Sequence, residues 1–211
     1  MRTRSVASVI VLRKRPAPGW CSVKGKDVSD VSEESAAFVW GSTVAERSAS
    51  YPCEEFVRDA NLAVFRAIDI AAPVPVVFRW LCQLRVAPYS YDLLDNLGRR
   101  SPRELTPGID ELEVGQRIMT IFHLASFERD RQLTIVCDGI GERLLGHVSS
   151  TYTVAPVGDA SRLVLKLVAI PPGGKLLRVP YRWVMPWFDL LMMRKQFLNL
   201  KVLAEKTAAS A

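Results

Sequence analysis

Two phenols, a hydroxyl and a carboxylate stand in one run, Tyr89-Ser90-Tyr91-Asp92, the best polar constellation in the chain. A phenol and a carboxylate can pass protons, so Tyr91 and Asp92 are candidate catalytic groups. The same run, with Tyr89, could instead orient the polar head of a ligand whose remainder lies against apolar walls. The competing reading is structural: Ser90 and Asp92 cap a short helix and the tyrosines pack on a sheet. His123, in a strand pattern behind Ile121, is the third candidate catalytic group, and His147 opens another strand; both also suit surface or satisfied core positions. Arg66 is a charge on the otherwise apolar side of a strand. It could meet an anionic ligand group, pair with Asp92, or sit at a solvated edge.

Other chemistries find no support. The chain has no His-x-x-His or Glu-x-x-His pattern, so no metal is expected. It has no Gly-x-Ser-x-Gly elbow and no dinucleotide fingerprint, and the three glycines between Gly139 and Gly146 are interleaved with Ile140, Glu142 and Arg143, which fit no phosphate cradle. No cofactor is expected.

The elements that must position these groups begin at the carboxyl end. From Pro186 onward Leu190, Met193, Phe197, Leu200 and Ala204 recur three and four apart, which predicts one long amphipathic helix with Arg194, Lys201 and Glu205 opposite. Pro186 suits a first turn, and Asp189 complements the positive end of the dipole. Leu62 to Ile70 alternates as a strand that Ala72-Pro73 ends. A helix follows, opened by Pro73 and Pro75, with Val77, Trp80, Leu81 and Leu84 on one face. Ser90 can then cap a short helix that Gly98 terminates. Further strands are predicted over 116–124, 132–138, 147–155 and 162–170, joined by the charged turn 128–131 and the turn 156–160. In the last of them Leu163, Leu165 and Leu167 face one way and Arg162, Val164 and Lys166 the other, giving an inner and an outer side. Upstream, a capping box counted from Ser42 fails at Ala45, so a helix there is weakly signalled, while Trp40 and Tyr51 clamp this segment to the domain. The fold class is therefore α+β, a curved antiparallel β-sheet wrapped around a long C-terminal α-helix, with two short helices after the first strand. Space left between sheet and helix is the working part.

Composition bounds the partners. The 211 residues are 49% hydrophobic and 24% charged, an ordinary globular balance. Of 28 lysines and arginines, seven lie within residues 1–26, which hold no acid, so 21 face 22 acidic residues beyond them. The net charge of +6 thus belongs to the tail, and the body has no basic footprint for nucleic acid. Residues 1–37 read as a basic, disordered tail, 38–207 as the domain and 208–211 as a short end. The four cysteines have no C-x-x-C pair; Cys82 and Cys137 read as buried free thiols, and a reducing, cytoplasmic setting is inferred. No run reaches the roughly 18 apolar residues of a span. The aromatic stretch 176–193, with Arg178 and Arg182, could touch a membrane surface transiently, or be core and lid.

The residues also carry a resemblance. The phrase from Arg66 to Gly98, containing I-x-A-P, V-x-x-W-L-x-Q and Tyr89-Ser90-Tyr91-Asp92, resembles the opening of SRPBCC-superfamily proteins, which include START lipid-transfer domains, polyketide cyclases and the birch pollen allergen. Within it the chain is similar to an actinobacterial-type subgroup of unassigned function with the phrase YSYDWLENL, where Leu93 or Leu94 replaces the Trp. Leu112, Val114 and Gly115, the segment from Asp189 to Glu205, and Trp40-Gly41 extend the match over about residues 38–207. The resemblance implies the helix-grip fold and a cavity for an apolar or amphipathic small molecule. Arg66, Tyr89, Tyr91, Asp92, Phe122, Met193 and Phe197 are the expected ligand-binding residues. The first functional reading is a protein binding a lipid, polyketide or isoprenoid-like molecule. The alternatives are a cyclase or dehydratase that folds its substrate and moves protons through Tyr91, Asp92 or His123, and an interaction module with a closed cavity. Oligomeric state is not readable from the sequence.

Overall fold

The computed structural model describes residues 35–96, 98–173 and 175–210; of the tail expected over 1–37, residues 1–34 lie outside them. Six strands form one antiparallel sheet in the order β1-β6-β5-β4-β3-β2: β1 Leu62–Ile70, β2 Arg117–Ile118, β3 Phe122–Glu128, β4 Gln132–Cys137, β5 His147–Val157 and β6 Ala160–Ile170. Among the described residues seven helices accompany them: α1 Ala36–Val39, α2 Val44–Ser48, α3 Cys53–Phe56, α4 Val74–Cys82, α5 Asp92–Asp95, α6 Gly139–Leu145 and α7 Lys175–Ala209, with a 3-10 turn over Gln83–Arg85. The sheet curves around α7, which is the helix-grip arrangement.

The alternation in β1 sends Val64 and Ile70 to the side that meets α7, where Leu163 and Leu165 of β6 and Phe197, Leu200 and Ala204 of α7 are buried with them. At about 25 cal/mol per Å² of apolar surface removed from water, these long facing rows are the main stabilising contact. Polar side chains fix the helix along its length. Gln196, buried, donates to the Pro88 carbonyl and accepts from the Tyr152 hydroxyl, Asn199 donates to the Tyr89 carbonyl, and the Trp80 indole donates to Thr207.

The sheet's other side is not a solvent face. Val164 and Val168 are buried there with Tyr51, Cys53, Val57, Phe65 and Ala67. Segment 43–57 roofs it: Arg162 reaches Glu46, Asp69 and the Gly41 carbonyl, and Lys166 pairs with Glu54 at 2.7 Å over the Tyr51 and Phe65 rings. Trp40, on the same upstream segment, instead packs on Phe197 with centroids 6.5 Å apart. Helix α1 spans Ala36–Val39 with Ala37 fully buried, so residues ahead of the expected start at 38 pack with the domain.

Several boundaries differ from expectation. The terminal helix starts eleven residues earlier than Pro186, which lies inside it together with Pro180. The missing N–H of an internal proline leaves one carbonyl of the preceding turn without its intrahelical donor. The predicted strand 116–124 is two strands, because Met119 takes a left-handed φ of 52° and reverses the chain between β2 and β3. The 3-10 turn receives that reversal: the Met119 amide donates to the Leu84 carbonyl. The turn 156–160 shrinks to Gly158-Asp159, with Gly158 at φ 58°. Upstream, the capping box exists one residue later than sought. Thr43 is the cap, its hydroxyl accepts from the Glu46 amide, and the Glu46 carboxylate accepts from the Thr43 amide. Helix α6 was not anticipated at all. Cys53, Cys82 and Cys137 are buried free thiols.

Candidate functional site

Two concavities bear on function, and they are built by different elements. The larger, about 400 Å³, opens to solvent between α6 and the N-terminal half of α7. Leu144 and Leu145 form one wall, Pro180, Tyr181, Val184, Met185 and Phe188 the other, and Pro172, just past β6, lies at its end. The sequence builds this wall because Tyr181, Val184, Met185 and Phe188 are three and four apart in α7 and so share a side. Gly146 permits the abrupt turn from α6 into β5: its φ is 81°, and a Cβ there would stand 2.1 Å from the Ile170 carbonyl oxygen. The Tyr181 hydroxyl donates to the Leu145 carbonyl, bracing the two helices across the cleft. Burial, with the Asp189 charge adding to it, pushes that phenol up to about 12. Among the described residues no charged side chain lines the cleft.

The smaller concavity, about 100 Å³, contains the polar run's first and last members. Tyr89, Asp92, Ser101, Pro102, Arg103, Asn199, Val202 and Leu203 enclose it. Tyr89 is buried edge-on to Trp80 and donates to the Pro102 carbonyl at 2.8 Å; burial pushes it up to about 12. Its backbone φ of 57° is the left-handed region, an uncommon conformation for a bulky residue. Asp92 accepts from the Ser101 amide and hydroxyl. These bonds tie loop 99–103 to α5 and to Tyr89 ahead of it, and the volume is below the roughly 300 Å³ of ordinary ligand sites. The cap of α5 is Tyr91, half-buried, not Ser90. Gly98 does end that turn, its amide donating to the Asp92 carbonyl.

The remaining candidates are dispersed. Arg66 does not meet Asp92. It is fully buried and its guanidinium lies 2.7 Å from Asp189 of α7, also donating to the carbonyls of Phe65, Ala37 and Pro186. Asp189 is therefore a buried partner and not a solvated complement to the helix dipole. Burial pushes its carboxyl up and the Arg66 guanidinium down, while each partner's charge opposes the other's shift. Phe197 is in the core between Trp40 and Tyr152, and Met193 is half-buried beside it. Phe122 is half-buried in β3, opposite Cys137. His123 bonds Asp138 at 3.2 Å near the surface, and His147 pairs with Glu142. Neither concavity is lined by Arg66, Tyr91, Phe122, His123, Met193 or Phe197. Among the described residues no group of three His, Cys, Asp or Glu side chains could hold a metal ion.

The cleft residues were not named from the sequence, although the aromatic stretch 176–193 contains most of them. Their signal was the density of Trp, Tyr and Phe there. What hides them is Pro186, a residue type that suits a helix start, and α6, whose glycines obscure the Leu144-Leu145 pair.

The fold defines the class: a helix-grip domain, the architecture that the resemblance to the SRPBCC superfamily implied. No family model and no curated protein matches this chain. Solved structures with a similar arrangement include an aromatase/cyclase of a Streptomyces species, 15% identical over 68% of this chain and 93% of that one, with a TM-score of 0.47. The di-domain aromatase/cyclase of the steffimycin biosynthetic pathway is 13% identical over 74% of this chain and 54% of that one, TM-score 0.47. A Mesorhizobium loti protein is 15% identical over 69% of this chain and 98% of that one, TM-score 0.44. At such identities and scores the likeness carries no functional inference.

Proposed function

We propose that this protein binds an apolar small molecule, of the lipid, polyketide or isoprenoid-like class, in the cleft between α6 and the N-terminal half of α7. The observation that carries the reading is the cleft itself: its volume of about 400 Å³ lies within the range of small-molecule sites, and its described lining is aliphatic and aromatic without a charge. The proposed site lies nearer the N-terminus of α7 than the space expected between sheet and helix, where Phe197 packs with Tyr152 and Trp40. The cyclase alternative gains no support from the cleft. Among the described lining residues the one ionisable group, Tyr181, already donates to a carbonyl and stays protonated near neutral pH.

Displacement of an apolar fluorescent probe tests the proposal. Binding of the probe should fall at least about tenfold in Met185→Trp, which fills the cleft, and in Val184→Asp, which places a charge in its wall, a cost of some 1.4 kcal/mol or more. Probe binding that neither substitution changes would remove the cleft as the site, and a protein that takes up no apolar probe would end the binding reading.

A further inference from the structure

The geometry points to a second role for the N-terminal half of α7: it is a docking surface for a membrane that carries anionic lipid. This goes beyond ligand binding and stands without it. Trp183, Val184, Trp187, Phe188 and Leu191 recur at steps of one, three and four, so they share one side of the helix. All five are exposed, Trp183 at 69%, Trp187 at 56% and Leu191 at 52%, whereas Pro186 and Asp189 on the opposite side are buried. The outward side is therefore a second apolar stripe, distinct from the one that α7 presents to the sheet. Ile140 and Leu144 of α6 are exposed as well, and Leu144 shares the cleft walls with Val184 and Phe188, so the apolar surface continues onto α6. Patches of this kind on an otherwise ordinary surface mark interaction sites.

Charge selects the partner. Between Pro180 and Leu198 the only acid is Asp189, buried against Arg66. Arg182, Arg194 and Lys195 are exposed in the same stretch. Arg194 lies seven residues past Trp187 and Lys195 four past Leu191, so both cations continue the outward stripe by one turn. An apolar helical face with two tryptophans that ends in cations suits the plane of a bilayer surface. The indoles settle at headgroup depth, the aliphatic groups reach the acyl boundary, and the cations meet phosphates. Docking in this pose also turns the mouth of the cleft toward the acyl region, since Val184 and Phe188 belong to both.

Co-sedimentation of the full chain with phosphatidylcholine vesicles, with and without phosphatidylglycerol, reads the proposal. The protein should sediment with the anionic vesicles and less in added salt. Trp187→Asp combined with Leu191→Asp should lower the partition by more than about tenfold, and Arg194→Glu combined with Lys195→Glu by roughly tenfold. All four positions are exposed, and an unchanged melting temperature establishes that each variant folds. Undiminished binding by the Trp187→Asp, Leu191→Asp variant would overturn the proposal and assign the contact to the basic residues 1–26. So would a wild-type protein that stays in the supernatant when the anionic vesicles sediment, including the case of a dimer in light scattering that Trp187→Asp dissolves, which would make a second copy the occupant.

Discussion

At the scale of single residues, the contact between Arg66 and Asp189 governs how β1 meets α7. A buried ion pair adds little over a well-packed apolar pair, but breaking one side strands the other charge. Asp189→Ala should therefore lower stability by about 3–5 kcal/mol in urea unfolding, while Arg66→Met with Asp189→Leu should recover most of that loss. A double variant as unstable as the single one would mean that the carbonyl bonds of Arg66, not its charge, hold the junction. Gly41 supplies a second test. Its φ is 74°, and a Cβ would stand 2.1 Å from the Ala67 carbonyl oxygen, because the chain there runs along β1, with the Ala67 amide donating to the Trp40 carbonyl. Gly158, also at positive φ, has nothing within 4 Å. Gly158→Ala should cost about 1 kcal/mol from the backbone alone, and Gly41→Ala distinctly more, measured by thermal melting. The oddity of Arg66 was legible in the sequence, as a charge among apolar neighbours. Its partner was not, because the sequence places Asp92 and Asp189 alike near an expected helix start, and only the seating of α7 on β1 distinguishes them.

At the scale of elements, legibility followed the strength of local signals. β1 was readable to its last residue because alternation and Ala72-Pro73 agree, and the turn between β3 and β4 because four charged residues interrupt two apolar runs. The turn after Met119 carries no Gly, Asn or Pro near its centre, so nothing local announces it; the Leu84 carbonyl, distant in sequence, holds it. Likewise the extra turns of α7 before Pro186 are hidden by a residue that statistics place at helix starts. Helix α2 was missed by a single position, and its cap offers a prediction. Thr43→Ala removes one capping bond and should cost about 1 kcal/mol. Glu46→Ala should cost more, because the same carboxylate also holds Arg162 of β6. If the two variants melt alike, the link between α2 and the sheet contributes nothing beyond the cap.

At the scale of the whole molecule, burial of the thiols offers a readout of global integrity. Cys53, Cys82 and Cys137 occupy three regions of the fold, and burial pushes Cys82 up to about 12 and Cys137 up to about 11. Only the thiolate reacts. Iodoacetamide at neutral pH should leave all three unmodified in the native protein and label them once urea unfolds it, as mass spectrometry of peptides would show. Labelling of Cys137 alone under native conditions would instead report local opening beside α6, at the edge of the cleft. The described part contains no helix long and apolar enough to cross a membrane.

The roof over the sheet has a practical corollary. Asn61 is a tempting place to trim the chain, since the recognisable strand begins next to it. A protein cut there would keep Arg162 and Lys166 but lose the glutamates that neutralise them, and would bare Val164, Val168 and Phe65 along a strand-lined plane. Such a fragment should aggregate on expression, whereas one that begins ahead of Ser35 keeps its lid of carboxylates and aromatics.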